Sequence, residues 1–126
     1  MVSAALLLTD AVLVVLFAIA GNYAHDSGLS AAAVSGTAWP FLAGLVLAWL
    51  LSSSWTRPSQ VWPAGVVAVI LTVVVGLSLR VLFTDGGAEL SFILVATGTL
   101  GVLLLARRLV TARWLAAAQP EAADPR

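Results

Sequence analysis

The sequence contains no cysteine. That alone excludes disulfides, thiolate metal sites and cysteine nucleophiles. It contains a single histidine. A metal centre would need carboxylates to complete it, and a haem held by His25 would lack a second axial ligand. Lysine is absent too: all six basic residues are arginine. Charge of either sign is scarce, at 10% of 126 residues, and the formal net charge is zero. The arginines do not gather on one face, so the chain lacks the electrostatic footprint of a nucleic-acid binder. Neither a metal nor a cofactor is expected, and nucleic acid is not an expected partner.

What fills the sequence instead is apolar. Hydrophobic residues make up 61% of it, and mean hydropathy is +1.06. Soluble domains run at about 45–50% apolar and about 25% charged. A chain this short has too much surface for its volume to hide so many apolar side chains from water. Its solvent is lipid, and the bilayer is its first partner. The bias toward Ala, Val, Leu, Gly and Arg suggests a GC-rich bacterial or archaeal genome.

About 20 apolar residues cross a bilayer core as a helix. Four stretches qualify, at about residues 4–24, 37–55, 61–83 and 90–110. Each spanning segment must satisfy its own backbone hydrogen bonds. The expected fold is therefore all-α: a polytopic membrane protein built as an antiparallel four-transmembrane-helix bundle over residues 1–114. Residues 115–126 read as a disordered cytoplasmic tail without an apolar stripe. Ala18-Ile19-Ala20 has the small residues of a signal-peptide cleavage site. The segment before it carries no positive charge and holds Asp10, so it reads as a retained span.

Loop arginines set the expected orientation. Arg57, Arg107, Arg108 and Arg113 flank the side shared by the second loop and the C-terminus, and Arg80 alone lies near the other. Both termini are expected in the cytoplasm, with the protein in the plasma membrane. Trp39, Trp55, Trp62 and Trp114 fall near span ends, as interfacial aromatics do, whereas Trp49 lies deeper.

An ionisable side chain at the centre of a span costs about 2.5–3.5 kcal/mol on insertion scales. Asp10 lies about 9 Å along the first span at 1.5 Å per residue. Its expected partners are Arg107, Arg108 or Arg57. It could serve as a proton or cation relay, as a buried structural ion pair, or with Thr9 as a cap for a later helix start. Arg80 lies toward the opposite leaflet and is not expected to meet Asp10. Near it the topology gathers Asn22, Tyr23 and His25 from the end of the first span, Thr37 and Trp39 from the second, and Glu89 and Ser91 from the fourth. One reading is an outer polar pocket, with Arg80 as anion anchor, His25 as titrating group, and Asn22, Tyr23 and Thr37 as hydrogen bonders. The other is an arginine that snorkels beside Asp85 or Glu89. At 100° per residue, Gly65, Thr72, Gly76 and Arg80 share one helix face within about 80°, and Asp10, Gly21 and His25 within about 60°. Such stripes of small and polar residues are expected where helices touch in lipid. Thr37 is expected to cap the second helix with Pro40 in its first turn. Gly44 with Ala48, and Thr97 with Gly101, are expected at close helix contacts.

Asp10, Phe17, Gly21 and His25, the run TAWPF at residues 37–41, Arg57-Pro58, and Gly76 with Arg80 resemble a family of small four-span bacterial and archaeal proteins, domain-of-unknown-function family 3054. The resemblance covers about residues 6–114. The family's basic residue after the glycine that ends the first span is replaced here by Asn22. The resemblance implies a membrane location and no established activity.

Three function classes follow. A small-solute or ion transporter or channel needs a homo-oligomer, since four helices enclose little space, and requires Asp10 and Arg80 to face a wet interior or a subunit interface. A structural or accessory subunit needs only packing faces for another membrane protein. An enzyme would need an acid–base pair or an activated nucleophile, for which His25 with Asp26 or Tyr23 is the one candidate cluster; this class has least support.

Overall fold

The computed structural model describes residues 2–24, 28–84 and 87–118. They form four long helices: α1 (Val2–Ala24), α2 (Ala31–Leu51), α3 (Val66–Phe83) and α4 (Leu90–Ala117). One irregular turn, Val61–Gly65, leads into α3, with Trp62 extended inside it. Among the described residues there is no strand. Each helix packs on its neighbour in sequence, and α1 closes the ring against α4. Short connections make the neighbours antiparallel. The start of α1 and the end of α4 thus lie with the loop between α2 and α3, where the Ser3 hydroxyl donates to the Trp55 carbonyl at 2.6 Å. We call this the terminal end and the other the far end.

All four spans are long and apolar enough to cross a membrane. The surface says the same. Leu8, Leu16, Leu50, Ile70, Val74, Leu94, Val102 and Val110 are exposed on the outside of the bundle. Water would penalise these apolar faces on every helix at about 25 cal/mol per Å²; lipid does not. Exposed Trp55, Trp62 and Trp114 ring the terminal end, and Tyr23 and Trp39 lie toward the far end. This is the aromatic belt of a bilayer-crossing bundle. The protein is a multi-pass membrane protein of the four-helix-bundle class.

The core contains Val14, Phe17, Phe41, Leu45, Trp49, Val69, Val73, Ala96, Leu100 and Leu104. Phe17 meets Phe41 edge to face, with centroids 5.3 Å apart. The closest helix contact is α2 on α3. A Cβ on Gly44 would stand 2.8 Å from the Thr72 carbonyl oxygen, and Gly76 lies directly under the Phe41 ring. With little hydrophobic drive between helices in lipid, such small-residue contacts supply the dispersion energy of association.

Several boundaries differ from the sequence reading. α2 begins at Ala31, because the Ser30 hydroxyl accepts from the Ala33 backbone N–H at 3.1 Å. Residues 31–36, read as loop from their small and polar composition, hold three alanines, the best helix former. Thr37 therefore does not cap the helix, and Pro40 lies in its interior rather than its first turn. Gly36 stands four residues before Pro40, with nothing near the place of its missing side chain. α2 also ends early, at Leu51, leaving residues 52–60 as the second connection. α4 runs on to Ala117 rather than residue 110; the rest of the predicted tail, from residue 119, lies outside the described residues. Gly44 and Ala48 are buried, but Thr97 is exposed on the lipid face, so the expected Thr97–Gly101 contact is not made inside the bundle.

Candidate functional site

The polar side chains gather in two clusters, one toward each end. From Asp10 to Asn22, α1 rises about 18 Å at 1.5 Å per residue.

The terminal-end cluster centres on Asp10, which is 1% exposed. Its Oδ1 accepts from Arg107 Nε at 2.7 Å and its Oδ2 from Arg107 Nη2 at 2.8 Å. This is a two-point fork between planar groups, the strongest geometry for the pair. Trp49 Nε1 donates to the same Oδ2 at 3.0 Å, which gives the deep tryptophan of α2 its polar partner. Arg107 Nη1 donates to the Pro58 carbonyl at 2.8 Å. Arg108, 1% exposed, has no carboxylate in contact among the described residues; its Nη1 donates to the Arg57 and Gln60 carbonyls at 3.2 and 3.0 Å, and its Nη2 to Ser54 Oγ at 2.8 Å. Ser54 shares a 2.6 Å hydrogen bond with Ser52. Gly65 gives the Arg108 chain passage: a Cβ there would lie 2.9 Å from Arg108 Cδ.

This network ties α1, α2, α4 and the 52–60 loop together. Among the described residues, no buried side-chain polar atom lacks a partner. Both Asp10 oxygens are engaged and the carboxylate is sealed from solvent, so the cluster works as a lock. A transport reading required Asp10 to face a wet interior or a subunit interface; instead it is buried within one protomer.

The far-end cluster frames a recess of about 170 Å³. Asn22 and Thr37 form one wall, Arg80 and Phe92 another, and Gly21, Gly87, Glu89 and Ser91 complete the lining. Asn22 is buried and committed to structure: its Nδ2 donates to the Gly28 and Ala33 carbonyls at 3.0 and 3.2 Å, and its Oδ1 accepts from Thr37 Oγ1 at 2.8 Å. It thereby fastens the first connection to α1. Arg80 lays its guanidinium 4.1 Å over the Phe92 ring, and its Nε donates to the Gly87 carbonyl at 2.8 Å. Gly21 opens onto this space, with nothing within 4 Å of where a Cβ would stand.

The structure thus brings Asn22, Thr37 and Arg80 together and keeps Asp10 apart from them. Tyr23 is 76% exposed and outside the lining. Trp39 is also outside it, half-exposed and paired with Phe83 at 6.4 Å. His25, Asp26 and Asp85 lie outside the described residues. Of the expected partners of Asp10, Arg107, Arg108 and Arg57, Arg107 alone bonds it, and sequence reasoning missed Trp49, Ser54 and the carbonyls of loop 52–60. The depth of Trp49 in its span was the available signal. Among the described residues no group of three or more metal-ligating side chains occurs.

Taken with this fold, the comparisons place the chain. It belongs to the family described as a protein of unknown function, DUF3054, which it matches over residues 7–111. That match takes in both polar clusters. No curated protein and no solved structure matches it.

Proposed function

We propose that the protein is an accessory membrane protein: a locked four-helix unit that offers lipid-facing helix surfaces and one polar recess to a membrane partner. The observation that carries this reading is the filled interior. Between the two polar clusters stand Val14, Phe17, Phe41, Leu45, Val73 and Leu100, all buried, and Asp10 is fully engaged by Arg107 and Trp49. A carrier or channel needs a wet, polar route at this depth, and an intramembrane acid free to exchange its partner.

Exposed Arg57 and Arg113 stand at the terminal end. By the positive-inside rule they favour cytoplasmic termini and a recess that faces the opposite side of the plasma membrane. A second reading, small-solute or ion transport by a homo-oligomer, draws on the recess itself, which would be its entry, with Arg80 as the selecting charge. Native mass spectrometry of gently extracted protein separates the two. The accessory reading expects another membrane protein retained in fixed ratio. A homo-oligomer without a partner, together with solute flux in vesicles that falls in Arg80→Gln, would replace it with the transport reading.

A further inference from the structure

The far-end recess carries charges of both signs, and an apolar groove adjoins it. Arg80 is held at two points, Nε on the Gly87 carbonyl and the guanidinium face on Phe92. Among the described residues no hydrogen bond takes up its Nη1 and Nη2 edge, the fork that matches phosphate. Glu89 lines the same recess and precedes α4, yet its carboxylate makes no capping bond to that helix. Ser91 adds a hydroxyl, and Thr37, its O–H spent on Asn22, adds an acceptor oxygen. A recess that holds a fixed cation and, close enough to feel its charge, a carboxylate is complementary to a zwitterion that carries a phosphate and an ammonium.

The groove says what the zwitterion is attached to. Between α3 and α4 a space of about 500 Å³ is lined by Val74, Leu77, Val81, Leu82, Ala88 and Ile93, with Ser78, whose hydroxyl is turned back onto the Val74 carbonyl. The two linings share no residue but lie next to each other along the chain: Val81 follows Arg80, Ala88 lies between Gly87 and Glu89, and Ile93 follows Phe92. A molecule seated by its headgroup in the recess can lay an acyl chain in this groove. We propose that the far end is a binding site for one ethanolamine phospholipid, with its phosphate on Arg80, its ammonium on Glu89 and an acyl chain between α3 and α4. A primary ammonium offers three N–H donors to a carboxylate. A choline headgroup offers none, and a glycerol headgroup has no cation. The proposal deepens the accessory reading by giving its recess an occupant, and lipid retention is measured without any partner, so each can fail without the other.

The test is native mass spectrometry of delipidated protein incubated with equal amounts of ethanolamine, choline and glycerol phospholipids of matched chains. Wild type should retain one ethanolamine lipid per protomer with about tenfold preference, as expected of one charge-assisted contact. Glu89→Gln should lose that preference while still holding lipid, and Arg80→Gln should lose retention of all three. Gly21→Leu should empty the site; its new side chain enters open space, so circular dichroism should stay that of wild type. Retention indifferent to headgroup, or unchanged in well-folded Gly21→Leu, would overturn the proposal. So would soluble glycerophosphoethanolamine that binds as tightly as the lipid, since the ligand would then be a free zwitterion.

Discussion

Replacing Asp10 by alanine removes the carboxylate that pairs with the buried Arg107, next to a second buried arginine, Arg108. Arg107 loses both charge-assisted bonds, at 2.7 and 2.8 Å, and Trp49 loses its 3.0 Å acceptor. Breaking a buried pair from one side costs about 3–5 kcal/mol, because the remaining charge stays desolvated. An unsatisfied indole N–H would add about 1–3 kcal/mol on its own, but the terms share one site and do not sum. Against a total stability of about 5–15 kcal/mol for a small domain, Asp10→Ala should cost about 3–5 kcal/mol. Asp10→Asn, which keeps an acceptor for Trp49, should cost less. The double variant Asp10→Ala/Arg107→Met removes charge from both sides and should be more stable than the sum of the singles predicts by about 2 kcal/mol, within the usual coupling of contacting residues. Recovery should stop short of wild type, since Arg108 stays buried without a counter-charge. Reversible unfolding in mixed micelles, followed by circular dichroism, measures wild type, Asp10→Ala, Asp10→Asn, Arg107→Met and the double variant. An Asp10→Ala cost below about 1 kcal/mol, or strict additivity in the double variant, would refute the lock.

Gly44→Val should cost about 1–3 kcal/mol by overpacking α2 on α3, whereas Gly98→Val, with nothing within 4 Å, should be nearly neutral in the same unfolding assay. Arg108→Met should free the carbonyls of Arg57 and Gln60, so hydrogen exchange should quicken across residues 52–60 while the helix cores stay protected. Ser30→Ala should cost about 0.5–2 kcal/mol as a lost N-cap, with faster exchange confined to the first turn of α2.

The helices were legible because lipid solvation leaves a length signal that packing does not disturb. The ion pair was legible for a related reason: a carboxylate in a span must find a cation, and only arginines on the same side were within reach. Thr37 and Pro40 show what was not. Composition marked residues 31–36 as loop, and only the local bond from Ser30 to Ala33 reveals the earlier helix start. The partnership of Trp49 with Asp10 depends on how α1 and α2 rotate against each other. Helices apolar on nearly every face give no sequence cue to that rotation. At the far end, topology was enough to gather Asn22, Thr37 and Arg80. It could not tell that Tyr23 and Trp39 turn outward, because α1 and α2 at that level carry aromatic and polar residues on several faces.

The absence of cysteine from the natural sequence makes the central claim, a sealed interior with a recess open to one side, directly testable by single-cysteine labelling with a membrane-impermeant maleimide in oriented vesicles. Ser91→Cys should label from one side only and Ala118→Cys from the other, while Val14→Cys and Leu100→Cys stay protected from both until the protein is unfolded. Labelling of Val14→Cys or Leu100→Cys in intact vesicles would mean that water reaches the core, and would contradict the account.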